Sequence, residues 1–278
     1  MLVASLAVLC ALSSALGTPQ SSRADIEGPA AGGPPLPTSS PAHAHVSDAP
    51  HSDRLIRFVS LDVGLSDAKA RVATTPSREP FGILTSSASE ERIGPKWEGV
   101  RRDIASEADM LARCRADAAH CPSVGATRFL AVVSAAKSRA GRARLGEVNR
   151  AINLAIRPMS DLAQYGVIDR WAAPIEVLAR GAGDCEDYAI AKYAALRAAG
   201  IGEDDLRLMV VRDTKLREDH AVLAARLDET WLILDNRRLL MLQDTELPNY
   251  VPLFTLGVDG IRHVDGWRAA ARVSSLRD

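Results

Sequence analysis

Apolar residues recur at helical spacing through the first half of the chain and change to strand-like runs in the second half. Ile104, Ala108 and Leu111 share one helical face, which predicts a helix over 101–114. Two more helices are predicted over 129–140 and 145–156, separated by Gly141 and closed by Pro158, which cannot continue a helix. Residues 165–174 form a turn-rich connector holding Trp171, 175–179 a short turn, and 180–183 a glycine-rich loop. A strong helix follows over 185–199. Asp184 stands in its capping position, Asp187 in its third position, and Gly200 where a C-terminal cap belongs. Its Ala189, Tyr193 and Leu196 stripe should face a core.

Beyond Gly200 the period becomes that of strands: 206–211, 220–227 and 231–234, with shorter candidates at 239–242 and 253–256. Asp228 and Glu229 join the second and third strands as a hairpin. Helices first and an antiparallel sheet afterwards predict an α+β fold, and the chain has no internal repeat.

The ends differ from the middle. Residues 2–16 are almost wholly apolar or small, too short a run to cross a membrane, and fit a secretory signal peptide over 1–17, cleaved after Ala15 or Gly17. The run lacks a basic beginning, and a buried N-terminal helix is the alternative. Residues 18–54 are rich in Pro, Ala, Gly and Ser without hydrophobic period, and read as a disordered tether. Residues 55–278 are then one domain. The 278-residue chain is 47% hydrophobic, enough for a core, and its net charge of -1 argues against nucleic acid or an anionic membrane surface as partner.

Four cysteines are present. Cys10 leaves with the leader. Cys114 and Cys121 flank a short insert and are close enough to form a disulfide, which an exported protein permits; two buried thiols are the alternative. The absence of Cys-x-x-Cys pairs argues against zinc. Cys185 is the odd cysteine left over, and in an oxidising compartment an unpaired thiol is a liability unless it is used.

Candidate chemistry gathers around that cysteine. It lies in Gly183-Asp184-Cys185-Glu186-Asp187-Tyr188, at a helix start. His220 begins one strand and Asp235 ends another. A symmetric turn at Asp228-Glu229 pairs residue 227 with 230 and therefore sets Asp235 opposite Val222. His220 is two residues from Val222, on the same face, so His220 and Asp235 are diagonal neighbours. An aspartate there accepts the imidazole N–H and fixes its tautomer. A helix N-terminus and an imidazolium both favour a thiolate. Asp184, Glu186 and Asp187 oppose it by like charge, and a hard divalent cation, calcium in an exported protein, would neutralise them. The alternative is that these acids cap the helix and point into water. Each residue alone also has a bland reading: a structural buried thiol, a strand-end histidine, a turn aspartate. Their order, on a helix start and two paired strands, favours a Cys-His-Asp nucleophile.

At these residues the chain resembles the bacterial transglutaminase-like cysteine proteinases, which include the LapG-type periplasmic proteases. The matching segments are Gly183 to Ala189, His220-Ala221-Val222-Leu223 and Leu234-Asp235-Asn236. Pro80-Phe81-Gly82, Lys96-Trp97, Cys114, Cys121, Val148-Asn149, Tyr165-Gly166, Asp169-Arg170-Trp171 and Pro174 match upstream. The resemblance implies a papain-like, transglutaminase-type core and a triad of Cys185, His220 and Asp235. It also implies Ca2+ beside the nucleophile, carried to Asp184, Glu186 and Asp187. LapG-type members cut a large surface adhesin at an Ala-Ala-containing site near its N-terminus, releasing biofilm cells, and an inner-membrane cyclic-di-GMP receptor sequesters them. The protein is therefore expected to be a periplasmic cysteine endopeptidase with a protein substrate, not an integral membrane protein. Acyl transfer to amines, as in a transglutaminase, and a non-catalytic calcium-binding module are the competing readings.

Overall fold

The computed structural model describes residues 79–87 and 93–265. The expected signal peptide and tether lie outside the described residues, as do both ends of the expected domain. The elements in order are β1 (Thr85–Ser87), α1 (Ile93–Ser106), α2 (Ala108–Ala116), α3 (Val124–Lys137), α4 (Gly141–Ala155), β2 (Arg157–Pro158), α5 (Asp161–Tyr165), α6 (Pro174–Arg180), β3 (Ala182–Gly183) and α7 (Cys185–Ala198). Then come β4 (Leu206–Asp213), β5 (Glu218–Leu227), β6 (Thr230–Leu234), β7 (Leu242–Gln243), β8 (Tyr250–Gly257) and β9 (Gly260–Val264). The fold is α+β. Seven antiparallel strands run in the order β1-β9-β8-β4-β5-β6-β7, and β2 pairs in parallel with β3.

Local chemistry explains most boundaries. Ser123 accepts the Ala126 N–H at 3.2 Å and starts α3 earlier than its apolar spacing suggests. The helix predicted over 101–114 is two helices that meet at Glu107, whose Oε1 accepts the Ile175 N–H at 3.0 Å. The predicted turn at 175–179 is α6, with Pro174 in its first turn and left-handed Gly181 beyond its end. Helix α7 closes with Gly200 at φ 96°; the Gly200 N–H reaches the Arg197 carbonyl and the Ile201 N–H the Leu196 carbonyl, both at 3.0 Å. The capping role expected of Asp184 is not made: its side chain forms no cap hydrogen bond.

The sheet is covered on both faces, so its central strands read as continuous apolar runs rather than alternating ones. Leu206, Leu208 and Val210 of β4 join the main core with α1, α3, α4 and α7. Met209 and Val211 point the other way, into a second cluster with Val222, Trp231, Ile233, Leu247 and Tyr250. The main core is tied together by Trp97, fully buried, which stacks edge-on against Tyr193 (centroids 5.2 Å apart) and donates to the Gly257 carbonyl at 3.0 Å. The β5–β6 hairpin has the expected register, Leu227 opposite Thr230 and Leu223 opposite Leu234. Asp228 and Glu229 both take positive φ, the geometry that matches strand twist in a two-residue turn. Among the described residues no helix is long and apolar enough to cross a membrane.

Candidate active site

The segment ahead of α7 is pinned before it can present Cys185. Arg157 and Met159 donate their N–H groups to the Gly181 and Gly183 carbonyls at 3.1 and 3.0 Å. Gly183 is required by space: a Cβ there would lie 2.8 Å from the Asp187 Cβ. Helix α7 then lies against β5 and starts under His220's strand. The Ala221 N–H reaches Cys185 Sγ at 3.3 Å, and Glu186 Oε2 lies 3.3 Å from the same sulfur. Cys185 is disulfide-bonded in the structure, so its sulfur marks the place of the thiolate in the reduced chain. That differs from the odd, unpaired cysteine expected above. Cys114 and Cys121 form a disulfide with S–S 2.06 Å.

His220 and Asp235 are brought together. His220 Nε2 is 2.9 Å from Asp235 Oδ1, and both side chains are buried. With Nε2–H donating to the carboxylate, Nδ1 is left to act as base. Asp235 receives two further donors: the Arg237 N–H at 3.0 Å on Oδ1 and the Tyr250 hydroxyl at 2.7 Å on Oδ2. Burial opposes ionisation of Asp235, but the bonds and charge from His220, with those from Arg237 and Tyr250, hold its pKa well below the ordinary carboxylate range. The turn that carries Asp235 is fastened to α4. Asn153 donates to the Asp235 and Arg238 carbonyls at 2.8 and 2.9 Å, and Asn149 to those of Arg238 and Leu239, both at 3.0 Å.

The acidic residues do not point into water. Glu186 and Asp187 are fully buried and Asp184 nearly so. They meet two more acids, Asp161 at the start of α5 and Asp169 in the loop after it. Asp161, Asp184 and Asp187 form one group whose carboxylate oxygens lie within 4.8 Å of one another; Asp161, Asp169 and Glu186 form a second, overlapping group. One oxygen on each of these five side chains is buried and accepts no hydrogen bond among the described residues: Asp161 Oδ1, Asp169 Oδ1, Asp184 Oδ1, Glu186 Oε1 and Asp187 Oδ2. The remaining oxygens are partly served. Ala172 N–H donates to Asp187 Oδ1 at 3.0 Å, Arg170 N–H donates to Asp161 Oδ2, and Lys96 Nζ pairs with Asp169 Oδ2 at 2.5 Å. Burial, then the neighbouring Asp161 charge, pushes Asp184 up to about 7. Burial, then the Asp184 charge, pushes Glu186 and Asp187 well above their usual values. Five converging carboxylates with orphaned oxygens fit an oxygen-liganded divalent cation, which would relieve both the repulsion and the missing bonds.

Asp161 and Asp169 were not among the metal ligands expected from sequence. Asp169 sits in the matching Asp169-Arg170-Trp171 segment, which was a signal. Asp161 follows Ser160 at the start of α5 and looks locally like an ordinary first-turn acid.

Residues 107–250, just over half the chain, match the sequence model of the bacterial transglutaminase-like cysteine proteinases. The chain belongs to that family. It is thus a cysteine peptidase of transglutaminase-like type. Solved structures similar to it include LapG of Legionella pneumophila in an EGTA-treated form, at 27% identity over 51% of this chain and 77% of that one, with a TM-score of 0.46. The calcium-bound form of the same LapG is 24% identical over 61% of this chain and 88% of that one, TM-score 0.46. A putative cysteine protease from Cytophaga hutchinsonii is 18% identical over 46% and 42%, TM-score 0.35. No curated protein matches.

Proposed function

We propose that this proteinase is a periplasmic endopeptidase working through Cys185, His220 and Asp235. The observation that carries the reading is the buried 2.9 Å bond between His220 and Asp235, on the strand whose next N–H reaches Cys185 Sγ. In the reduced chain the Cys185 thiolate attacks a substrate carbonyl and forms a tetrahedral intermediate. The backbone N–H of Cys185, at the N-terminus of α7, faces the developing oxyanion. Protonated His220 gives its proton to the departing amine as the C–N bond breaks, leaving a thioester on Cys185. His220 then takes a proton from water, the hydroxide equivalent attacks the thioester, and the acid product leaves as the thiolate re-forms. Asp235 holds the imidazole in one tautomer and stabilises its charged form.

Asp161, Asp169, Asp184, Glu186 and Asp187 would hold Ca2+. Bound there, the ion supplies positive charge beside a nucleophile otherwise surrounded by carboxylates. Support for calcium is the orphaned oxygens and the donor set, all hard oxygen. The resemblance to LapG-type proteases adds a substrate class: a large surface adhesin cut at an Ala-Ala-containing site, with an inner-membrane cyclic-di-GMP receptor as the sequestering partner.

The test is cleavage, followed by gel, of an adhesin N-terminal fragment bearing an Ala-Ala linker, by the reduced protein with calcium or with EGTA. Cutting that needs calcium and disappears in Cys185→Ala is expected. Cutting that persists in Cys185→Ala would exclude the nucleophile. Incorporation of an added amine with ammonia release, in place of hydrolysis, would assign acyl transfer instead.

A further inference from the structure

The second core cluster carries one polar atom aimed at the proposed triad, the hydroxyl of Tyr250. Tyr250 opens β8, and its ring is buried among Met209, Val211, Val222 and Ile233. Strand register explains its reach. Val211 of β4 pairs with His220 on one side and with Pro252 on the other, and Tyr250 is two residues before Pro252 on the same side of the strand. The tyrosine therefore touches both proposed partners at once. Its hydroxyl donates to Asp235 Oδ2 at 2.7 Å, while its ring meets the His220 imidazole edge-on, centroids 5.9 Å apart at 68°.

From this geometry we infer that Tyr250 is a positioning residue for the reaction, the fourth member of a Cys185-His220-Asp235-Tyr250 chain. The inference rests on the proposed triad. A carboxylate with two oxygens and one imidazole partner can swing about its Cβ–Cγ bond. Here Oδ1 is shared by His220 and the Arg237 N–H, and Oδ2 accepts from Tyr250 with the Arg238 Nε farther off at 3.9 Å, so the carboxylate plane has one orientation. The same tyrosine packs against the ring that the carboxylate orients. Fixing both groups holds the imidazolium where it must give up its proton. Burial and the Asp235 charge both raise the Tyr250 pKa, so the hydroxyl keeps its proton throughout the working range and remains a donor.

Tyr250→Phe is the decisive variant because it keeps the ring and removes only the hydroxyl. Two readouts on the reduced full chain separate the inference from the triad itself. The first is kcat and KM on the Ala-Ala fragment. The second needs no substrate: the nitrogen-15 and proton signals of the His220 ring, assigned with a His220→Gln variant. In Tyr250→Phe, kcat is expected to fall about tenfold with KM unchanged, the loss of one charge-assisted bond expressed in the transition state. The His220 Nε2–H signal is expected to move and to exchange faster with water. Met209→Ala, which disturbs the same cluster without touching the hydroxyl, should lower the melting temperature but leave the His220 signal in place. If Tyr250→Phe keeps both the His220 signal and kcat, Tyr250 is only a packing residue and the inference is overturned, while the triad stands. If the wild-type protein cuts nothing, the peptidase reading of this site falls, and the His220 signal alone decides whether Tyr250 positions the pair.

Discussion

Lys192 lies fully buried on α7, two turns beyond Cys185, and replacing it with methionine tests how the core behind the site is balanced electrostatically. Its ammonium donates to the Leu234 carbonyl at 3.4 Å and sits 5.9 Å from the Tyr188 ring centroid. Burial pulls its pKa from 10.5 down to about 7, against the opposing attraction of Asp235. At 1.36 kcal/mol per unit, that depression corresponds to about 5 kcal/mol of stability lost when the folded chain must keep the proton. The sign follows from proton counts. Below pH 7 both folded and unfolded chains hold the proton, and the full cost is present. Between about 7 and 10.5 the unfolded chain keeps a proton that the folded chain has released, so stability rises with pH. Above 10.5 neither holds it and the cost is gone. Lys192→Met conserves length and volume while abolishing the titration. Urea unfolding of both proteins at pH 6 and pH 9 should show the variant gaining on the wild type at pH 6, with the gap narrowing by about 3 kcal/mol at pH 9. Losing the Leu234 bond adds an offset of about 1 kcal/mol that does not change with pH. The buried carboxylates titrate in both proteins and largely cancel in the difference. A gap that stays constant from pH 6 to pH 9 would refute the reasoning, because it would mean that Lys192 does not titrate differently on folding.

Three further outcomes are expected. Asp161→Asn should weaken calcium binding roughly tenfold or more in isothermal titration, although Asp161 lies outside the Gly-Asp-Cys-Glu-Asp-Tyr segment; an unchanged affinity would remove it from the site. Asp235→Asn should lower kcat by about 10^3- to 10^4-fold in the fragment-cleavage assay, because the amide no longer fixes the imidazole tautomer or offsets its charge, and a loss below tenfold would exclude the orienting role. Replacing Cys114 and Cys121 together by serine should cost about 2.5 kcal/mol in urea unfolding, the loop-closure value for a loop of about eight residues; no change would show that the 114–121 turn is ordered without its bond.

Periodicity and turn chemistry were enough to read several features from the sequence. The C-terminal boundary of α7 was legible because Gly200 stands where the chain must take a left-handed conformation to leave the helix. The nearness of His220 and Asp235 was legible because a two-residue turn sets a hairpin register, and strand alternation then assigns faces. The break at Glu107 was not legible. The Glu107 carboxylate there meets the Ile175 N–H, far along the chain, a contact that no local preference encodes.

The sequence by itself thus determined the order of the chemistry, a thiol at a helix start, then an imidazole and a carboxylate on paired strands, because each of those placements follows from near neighbours. Tertiary structure alone decided what surrounds them. Asp161 and Asp169 join Asp184, Glu186 and Asp187 only because the segment from β2 to α6, which includes α5, brings them to the start of α7. Tyr250 reaches Asp235 only because β8 and β5 flank the same strand, β4. The pKa of Lys192 falls only because its helix is packed into the core, where burial opposes its charge. Contacts between distant segments carry no local pattern, and burial, which raises the pKa of Asp184, Glu186 and Asp187, is a property of the packed whole.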